Sequence, residues 1–103
     1  MARPMRIRAT HEDGVTDVKV LMSHIMETGQ RKDGDGNPIP AHFIQEVVAT
    51  YDGKEVLRAE WGPAVSRDPF LAFKFKGGEP GGEVQLTWHD NKGDTRTDTA
   101  EIR

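Results

Sequence analysis

Cysteine is absent from the 103 residues of the sequence. This absence excludes disulfide bonds, cysteine-ligated zinc and a thiol nucleophile from the chain. A run of apolar residues long enough to cross a membrane is also absent. The arginine-rich start, MARPMRIRATHEDG, has no apolar run behind it, so we do not expect it to be a signal peptide. Taken by themselves, these absences favour a cytoplasmic protein.

A strong charge of one sign is missing as well. The net charge is −3, which argues against nucleic acid as the main partner. Hydrophobic residues make up 35% of the chain and charged residues 30%. Because Val, Ile, Leu and aromatic residues recur along the whole length, we expect a folded chain rather than a disordered one. The length suits a single domain over residues 1–103.

Helical periodicity is nearly absent, whereas Gly, Pro, Asp and Asn interrupt the chain often. The short runs between these interruptions alternate apolar and polar residues, as strands do. They predict strands at 4–9, 15–22, 41–51, 54–60, 70–76, 83–89 and 94–102. Seven strands at nearly regular spacing are typical of an all-β, immunoglobulin-like two-sheet sandwich of antiparallel strands.

The alternation also predicts which side chains point inward. They are Val18, Val20 and Met22 in the second run and Val84, Leu86 and Trp88 in the sixth. In the run 41–51, strict alternation places Val47 on the face opposite Ile44. Asp52-Gly53 predicts a two-residue hairpin turn, and Gly93 is expected to adopt a positive φ in a second turn.

The histidines are the possible metal ligands. No two of His11, His24, His42 and His89 lie at a short ligand spacing, so a metal would require the fold to bring them together. Otherwise they are isolated surface or loop residues. Ser23 and His24 are adjacent in a strand-like run, so their side chains should point to opposite faces and form no catalytic dyad. We therefore predict neither a metal site nor an enzyme.

Two further motifs have ordinary structural explanations. The run Asp33-Gly34-Asp35-Gly36-Asn37 is similar to the start of a calcium-binding loop, but Pro38 and Ile44 occupy positions that require Gly and Glu. We expect a plain turn there.

Trp61 and Trp88 are compatible with a sugar-binding platform, but Trp88 belongs to an alternating strand, which favours the core. Trp61 ends a strand and is a candidate interface residue.

The longest connection, SHIMETGQRKDGDGNPIP at residues 23–40, is the richest feature. Strand connections in compact domains are usually much shorter, and long ones are functional or disordered. Met26, Arg31 and Lys32 are residue types that make contacts, and Gly29 allows close approach of a backbone. A long hairpin loop without function is the alternative interpretation.

This segment resembles one in SoxZ, the small subunit of the SoxYZ carrier in bacterial sulfur oxidation. That family shows His-Pro-Met-Glu-(Ser/Thr)-Gly-Gln-Arg-Lys-Asp ahead of Ile-Pro. The matching positions here are His24, 26–33, Ile39 and Pro40, with Ile25 in place of Pro. Residues 51–56, 63–70 and 87–93 also resemble the family in the same order, although Arg67-Asp68 replaces Ala-Asn and Phe70 replaces Tyr.

The resemblance implies a non-catalytic scaffold subunit without a cofactor. Its partner would be a SoxY-type subunit that carries sulfur intermediates on the cysteine of a flexible glycine-rich arm, in a heterodimer to which other sulfur-oxidation enzymes bind transiently. It also implies periplasmic location, reached together with a partner that has an export signal. Neither nucleic acid nor membrane is expected as a partner.

Ten residues are candidates for binding the partners. They are His24, Met26, Glu27, Gly29, Gln30, Arg31, Lys32, Trp61, Ser66 and Phe70. Met26, Trp61 and Phe70 would be apolar anchors, and Arg31 and Lys32 would pair with carboxylates of a partner. The alternatives are a stand-alone β-sandwich module that binds carbohydrate or another ligand, and an enzyme that holds a metal through clustered histidines.

Overall fold

Seven antiparallel strands form two sheets in the computed structural model, which describes residues 2–103. The strands are β1 (Arg6–Glu12), β2 (Val15–Leu21), β3 (Ile44–Tyr51), β4 (Lys54–Glu60), β5 (Phe70–Lys76), β6 (Glu83–Asp90) and β7 (Thr95–Glu101). The predicted all-β sandwich is therefore confirmed. Within the described range, the structure has no helix long and apolar enough to span a membrane.

The strands are divided between a three-stranded sheet, β1-β2-β5, and a four-stranded sheet, β4-β3-β6-β7. In a constant-type immunoglobulin domain the fourth strand lies beside the fifth. Here β4 pairs with β3 instead, which leaves β5 as the outer strand of the smaller sheet.

The core lies between the sheets, and most of its residues were predicted by alternation. The confirmed inward residues are Val18, Val20, Met22, Val84, Leu86 and Trp88, all at most 1% exposed. The prediction for β3 was wrong, because Ile44 and Val47 are both fully buried. The register of β3 against β6 shifts between Ile44 and Glu46. Such a bulge adds one residue and brings two side chains of opposite parity to the same face.

Short turns connect the hairpins at one end of the sandwich. Asp52 and Gly53 have φ values of 51° and 77°, as a hairpin turn with two left-handed residues requires, so this prediction is confirmed. Asp13 and Gly14 form the same turn, with φ of 53° and 78°. Sequence reasoning missed it, because the first strand was expected to end at residue 9 and extends to Glu12.

The molecule is 54 Å along its longest axis. Its opposite end holds the two longest connections, residues 22–43 between β2 and β3 and residues 61–69 between β4 and β5, together with the turn 91–94 between β6 and β7. Gly93 in that turn has the expected positive φ, 84°. We call this the loop end of the molecule.

Gly78 provides a test of the packing at the end with the short turns. It has φ of +80°, and a Cβ there would clash with Oγ1 of the buried Thr16. Gly78→Ala should lower the free energy of unfolding by about 3 kcal/mol, because left-handed strain and overpacking add together. Gly14→Ala is the matched control, since Gly14 has φ of +78° but no atom near its Cβ position. It should cost about 1 kcal/mol, and equal losses in urea denaturation would contradict the clash.

Candidate functional site

The connection between β2 and β3, residues 22–43, is an ordered ribbon, which we call the long loop. Glu27 and His42 exchange two backbone hydrogen bonds, at 2.7 and 3.0 Å. Further out, the amide of Ile39 donates to the carbonyl of Arg31 at 2.8 Å. The chain therefore runs out and returns as two paired segments, which is more regular than an open coil.

A carboxylate closes the tip of this ribbon. Oδ1 of Asp33 accepts hydrogen bonds from the amides of Asp35 and Asn37, at 2.9 and 3.0 Å. The amide of Asp33 donates in turn to the carbonyl of Asn37. Asp33 thus forms a side-chain-stabilised turn, in agreement with the expectation of a plain turn rather than a calcium loop.

A buried cluster of two histidines and one aspartate lies beneath the loop. Nε2 of His24 is 3.0 Å and Nε2 of His42 is 2.7 Å from the same oxygen, Oδ2 of Asp90. His24 and Asp90 are buried, and His42 is partly buried. We call these three residues the His–Asp cluster. The long loop contributes both histidines, one near each end, and the last residue of β6 contributes the aspartate.

Asp90 is ionised in this setting. Its Oδ1 accepts hydrogen bonds from the amides of Lys92 and Asp94, each at 2.9 Å. Burial raises the pKa of Asp90, but the hydrogen bonds from His24, His42 and the two amides outweigh it and hold that pKa below its ordinary value. All four donors favour the charged carboxylate.

The backbone fixes the tautomer of His24. Its Nδ1 accepts a hydrogen bond from the amide of Met26 at 3.1 Å, so in the neutral ring the proton is on Nε2 and is donated to Asp90. A histidine that binds a metal through Nε2 needs a free lone pair there and normally donates its other N–H to an acceptor. The N–H of Met26 faces Nδ1 instead. The cluster is therefore built for hydrogen bonds and does not fit a resident metal ion.

The fold brings together two of the four histidines that were considered as metal ligands. His24 and His42 join Asp90 within 4.8 Å of one another. His11 is in β1, where its Nδ1 lies 3.3 Å from Oγ1 of Thr16, and His89 is exposed on β6. A metal site would require the fold to bring the histidines together, and only two of the four meet. The tautomer of His24 also opposes metal binding.

Aromatic packing holds the cluster against the core. The rings of His24 and Trp88 meet at 89° with centroids 5.1 Å apart, and those of His24 and His42 meet at 74° and 4.7 Å. Trp88 is 1% exposed, as its place in an alternating strand predicted. Its Nε1 has no hydrogen-bond partner among the described residues, so packing rather than hydrogen bonding fixes the ring.

Neighbouring loops fix both ends of the long loop. At its start, the amide of His24 donates to Oδ1 of Asp68 at 3.1 Å, and the amide of Asp68 donates to the carbonyl of His24. At its end, the side chain of Asn91 donates to the carbonyl of Ala41 and accepts from the amide of Phe43, both at 2.8 Å. The long loop is therefore tied to both of the other connections at the loop end.

A fork-shaped ion pair stiffens the loop further out. Nε and Nη2 of Arg31 donate to the two carboxylate oxygens of Glu27 at 3.0 and 2.6 Å. The hydrogen bond from Arg31 is the main cause that lowers the pKa of Glu27, against the opposing effect of burial. Much of the charge of Arg31 is thus neutralised inside the loop rather than left for a partner.

A cavity of about 420 Å³ opens beside the cluster. Arg3 and Arg67 contribute positive charge to its wall, and Asp68 and Asp94 contribute negative charge. Because positive and negative side chains balance in the wall, the charge of the cavity favours neither an anionic nor a cationic ligand.

The ten predicted partner-binding residues differ in exposure: three are buried, six are exposed and one is half-buried. His24, Met26 and Glu27 are buried at 8%, 6% and 8% exposure, so they support the loop from within and do not present side chains to a partner. Met26 in particular belongs to the domain's own core, with Sδ 3.4 Å from the amide of Ile44. The exposed group is Gly29, Gln30, Arg31, Lys32, Ser66 and Phe70, and Trp61 is half-buried.

Sequence reasoning missed Asp90, Asp68 and Asn91 as members of the site. The run 90–93 was interpreted as a hairpin turn, which it is, and one oxygen of Asp90 serves that turn. The other oxygen accepts hydrogen bonds from His24 and His42, which lie 66 and 48 positions earlier in the chain. A turn aspartate two residues after a buried tryptophan is the only local signal.

Asp90→Asn should lower the free energy of unfolding at pH 7 by about 3 kcal/mol, because the amide cannot accept from all four donors. Asp94→Asn is the matched control, since Oδ1 of Asp94 accepts only from the adjacent amide of Thr95. It should change stability by less than about 1 kcal/mol. Urea denaturation measures both, and equal effects would contradict the role of the cluster.

The stabilising effect of Asp90 should also depend on pH. Its pKa is lower in the folded than in the unfolded state, so its contribution is complete above the unfolded value, about 3.9, and disappears as pH falls through the folded value. The difference between the wild type and Asp90→Asn should therefore shrink as pH falls below about 4. A difference that stays constant or grows below that pH would refute the assignment.

The hydrogen-bonded state of the cluster predicts a weak response to metal ions. Adding Zn²⁺ or Co²⁺ at pH 7 should leave the thermal midpoint of unfolding within about 1 °C of the metal-free value, because no preformed ligand set favours the folded state. A rise that disappears in His42→Ala would overturn the tautomer argument.

Superoxide reductases are similar to this chain in structure. A superoxide reductase in the oxidised state is 17% identical with a TM-score of 0.62 and covers 99% of this chain and 89% of its own. The enzyme from Ignicoccus hospitalis is 17% identical with a TM-score of 0.61, over 99% and 80%. A reduced mutant from Archaeoglobus fulgidus is 22% identical with a TM-score of 0.57, over 97% and 89%. At these identities the likeness concerns the fold alone.

The family comparison covers nearly the whole chain. A search of curated proteins found no match. The family model of the sulphur oxidation protein SoxZ matches residues 5–101, a range that includes the long loop, the His–Asp cluster and all seven strands. The chain belongs to the SoxZ family of sulfur-oxidation proteins.

Proposed function

We propose that the chain is the non-catalytic scaffold subunit of a sulfur carrier. It pairs with a cysteine-bearing SoxY-type subunit, and the pair carries covalently bound sulfur intermediates during thiosulfate oxidation. The sequence contains no cysteine, so the thiol that bears the sulfur belongs to the other chain. Membership of the SoxZ family supports this assignment.

The observation that carries the proposal is a long loop fixed at both ends with an exposed outer part. Residues 28–38 are all exposed, whereas in the His–Asp cluster beneath them His24 and Asp90 are buried and His42 is partly buried. A binding segment that is already ordered loses less conformational entropy when a partner binds. A scaffold that grips another polypeptide benefits from such rigidity, and a passive connection of 22 residues does not require it.

Neither alternative function has comparable support. A carbohydrate-binding module usually needs several exposed aromatic rings, but Trp88 is in the core, Trp61 is half-buried, and Phe70 is the one strongly exposed aromatic ring among residues 2–103. A metal enzyme needs ligands with free lone pairs, and the tautomer of His24 opposes this. We accordingly propose a subunit without cofactor that resides in the periplasm and is exported together with its partner.

Co-purification tests the pairing. The chain should be expressed with the neighbouring reading frame whose product ends in a glycine-rich segment containing one cysteine. A stable complex of one copy of each, seen by native mass spectrometry, is the expected result. Recovery of the tagged chain alone, from cells that contain both proteins, would refute the proposal.

Lys32 tests the exposed part of the long loop. Lys32→Ala should reduce the affinity of pairing or the sulfur turnover of the reconstituted carrier about fivefold, a change of about 1 kcal/mol. Lys54→Ala, an exposed lysine at the opposite end of the sandwich, is the matched control and should change neither. Calorimetry measures the pairing and thiosulfate consumption the turnover. Equal results for both variants would contradict a contact at the loop.

A further inference from the structure

Two exposed apolar side chains lie side by side on the outer face of the three-stranded sheet. Leu21 is 43% and Phe70 is 63% exposed, and the register places them opposite each other across β2 and β5. Arg6 lies opposite Leu21 on the other side, in β1. Exposed apolar residues that occur singly need no explanation, whereas a contiguous exposed apolar surface rimmed by polar residues is a common feature of interaction sites.

Positive charge surrounds this pair. A groove of about 330 Å³ is lined by Arg6, Ile7, Arg8, Lys19, Leu21 and Phe70. We call it the basic groove. In residues 2–103, no ion pair joins any of its three cations to a carboxylate. The chain as a whole has a net charge of −3, whereas the charge of the groove is positive.

The opposite face of the sandwich is acidic. The outer face of the four-stranded sheet carries Glu46, Glu55, Glu60, Glu83 and Glu101. Arg58 on the same face pairs with Glu46 and Glu55, and negative charge still predominates there. A second copy of the chain could place this face against the basic groove, but such a contact joins two different surfaces and builds a ring or a filament of many copies. Neither assembly suits a carrier made of one pair of subunits. An acidic surface of a different protein is therefore the better occupant.

We propose that the basic groove is the docking site for an acidic protein surface that presents one bulky apolar side chain. This inference rests on the proposed function. The occupant is an enzyme that acts on the carrier and binds it transiently, not the permanent cysteine-bearing subunit. Permanent interfaces are large and mostly apolar, whereas three unpaired cations around a small apolar floor suit a short-lived, electrostatically steered encounter.

Charge reversal in the groove provides the test. The double variant Arg8→Glu, Lys19→Glu should be assembled with the cysteine-bearing subunit into the full carrier complex. The kcat/KM of purified thiosulfate-oxidising enzymes from the same organism toward this complex should fall about tenfold at about 50 mM salt. Its decrease with rising salt should become shallower, because fewer charges steer the encounter.

Phe70→Ser removes the apolar floor without changing charge. It should lower the same kcat/KM about fivefold and leave the salt dependence as in the wild type. Lys76→Glu is the matched control: it lies on the same face of β5, six residues or about 20 Å from Phe70, and should change kcat/KM less than about twofold. Urea midpoints should match the wild type, since the substituted side chains are exposed.

The outcomes separate the groove from the proposed function. Wild-type kcat/KM and salt dependence in the charge-reversal variant would overturn the docking site. So would loss of subunit pairing in size-exclusion chromatography, since the groove would then belong to the permanent interface. Binding of a DNA duplex by the wild type but not the variant, at about 150 mM salt, would overturn the assignment to a protein. A wild-type chain that never pairs refutes the proposed function itself.

Discussion

The functional end of this protein depends on the buried carboxylate of Asp90. A charge is tolerated inside a protein only where hydrogen bonds replace the water that it loses. Asp90 receives four, from His24, His42 and the amides of Lys92 and Asp94. These donors come from both ends of the long loop and from the turn after β6. Loss of any one donor would leave the buried charge with fewer hydrogen bonds. Asp90 therefore holds the two ends of the long loop and the turn after β6 together.

This constraint explains how a small sandwich supports a connection far longer than its strands. The segment is tied at its base by the His–Asp cluster, stiffened by the pair of Glu27 and Arg31, and closed at its tip by Asp33. The basic groove begins where this loop leaves the sheet, because Leu21 is the last residue of β2 and Phe70 the first of β5. The long loop, a stiff polar ribbon, and the basic groove therefore adjoin at one end of the molecule.

The sequence predicted the parts of the structure that depend on local chemistry. Alternation identified the strands and most of the core, and Asp52-Gly53 identified a hairpin, because backbone preference and side-chain parity act over a few residues. The prediction of inward residues from alternation was wrong at Ile44, because a bulge shifts the register there. This bulge is visible only in the pairing of β3 with β6. The role of Asp90 was unpredictable for the same reason, since its histidine partners are brought to it by tertiary structure. The resemblance to the SoxZ family drew attention to the long loop, but it gave no indication of which of its residues are buried.

The position of β5 at the border of the smaller sheet has a consequence for the solubility of the free chain. An outermost strand offers unpaired backbone groups on which further molecules can polymerise as a continuous sheet. The alternating run from Leu71 to Phe75 would be prone to this, but Lys74 interrupts the run and Lys76 follows it directly. If copies of β5 paired edge to edge, their lysines would lie close together, and the repulsion between these like charges opposes growth of the sheet. These lysines would thus act as gatekeepers against amyloid-like association.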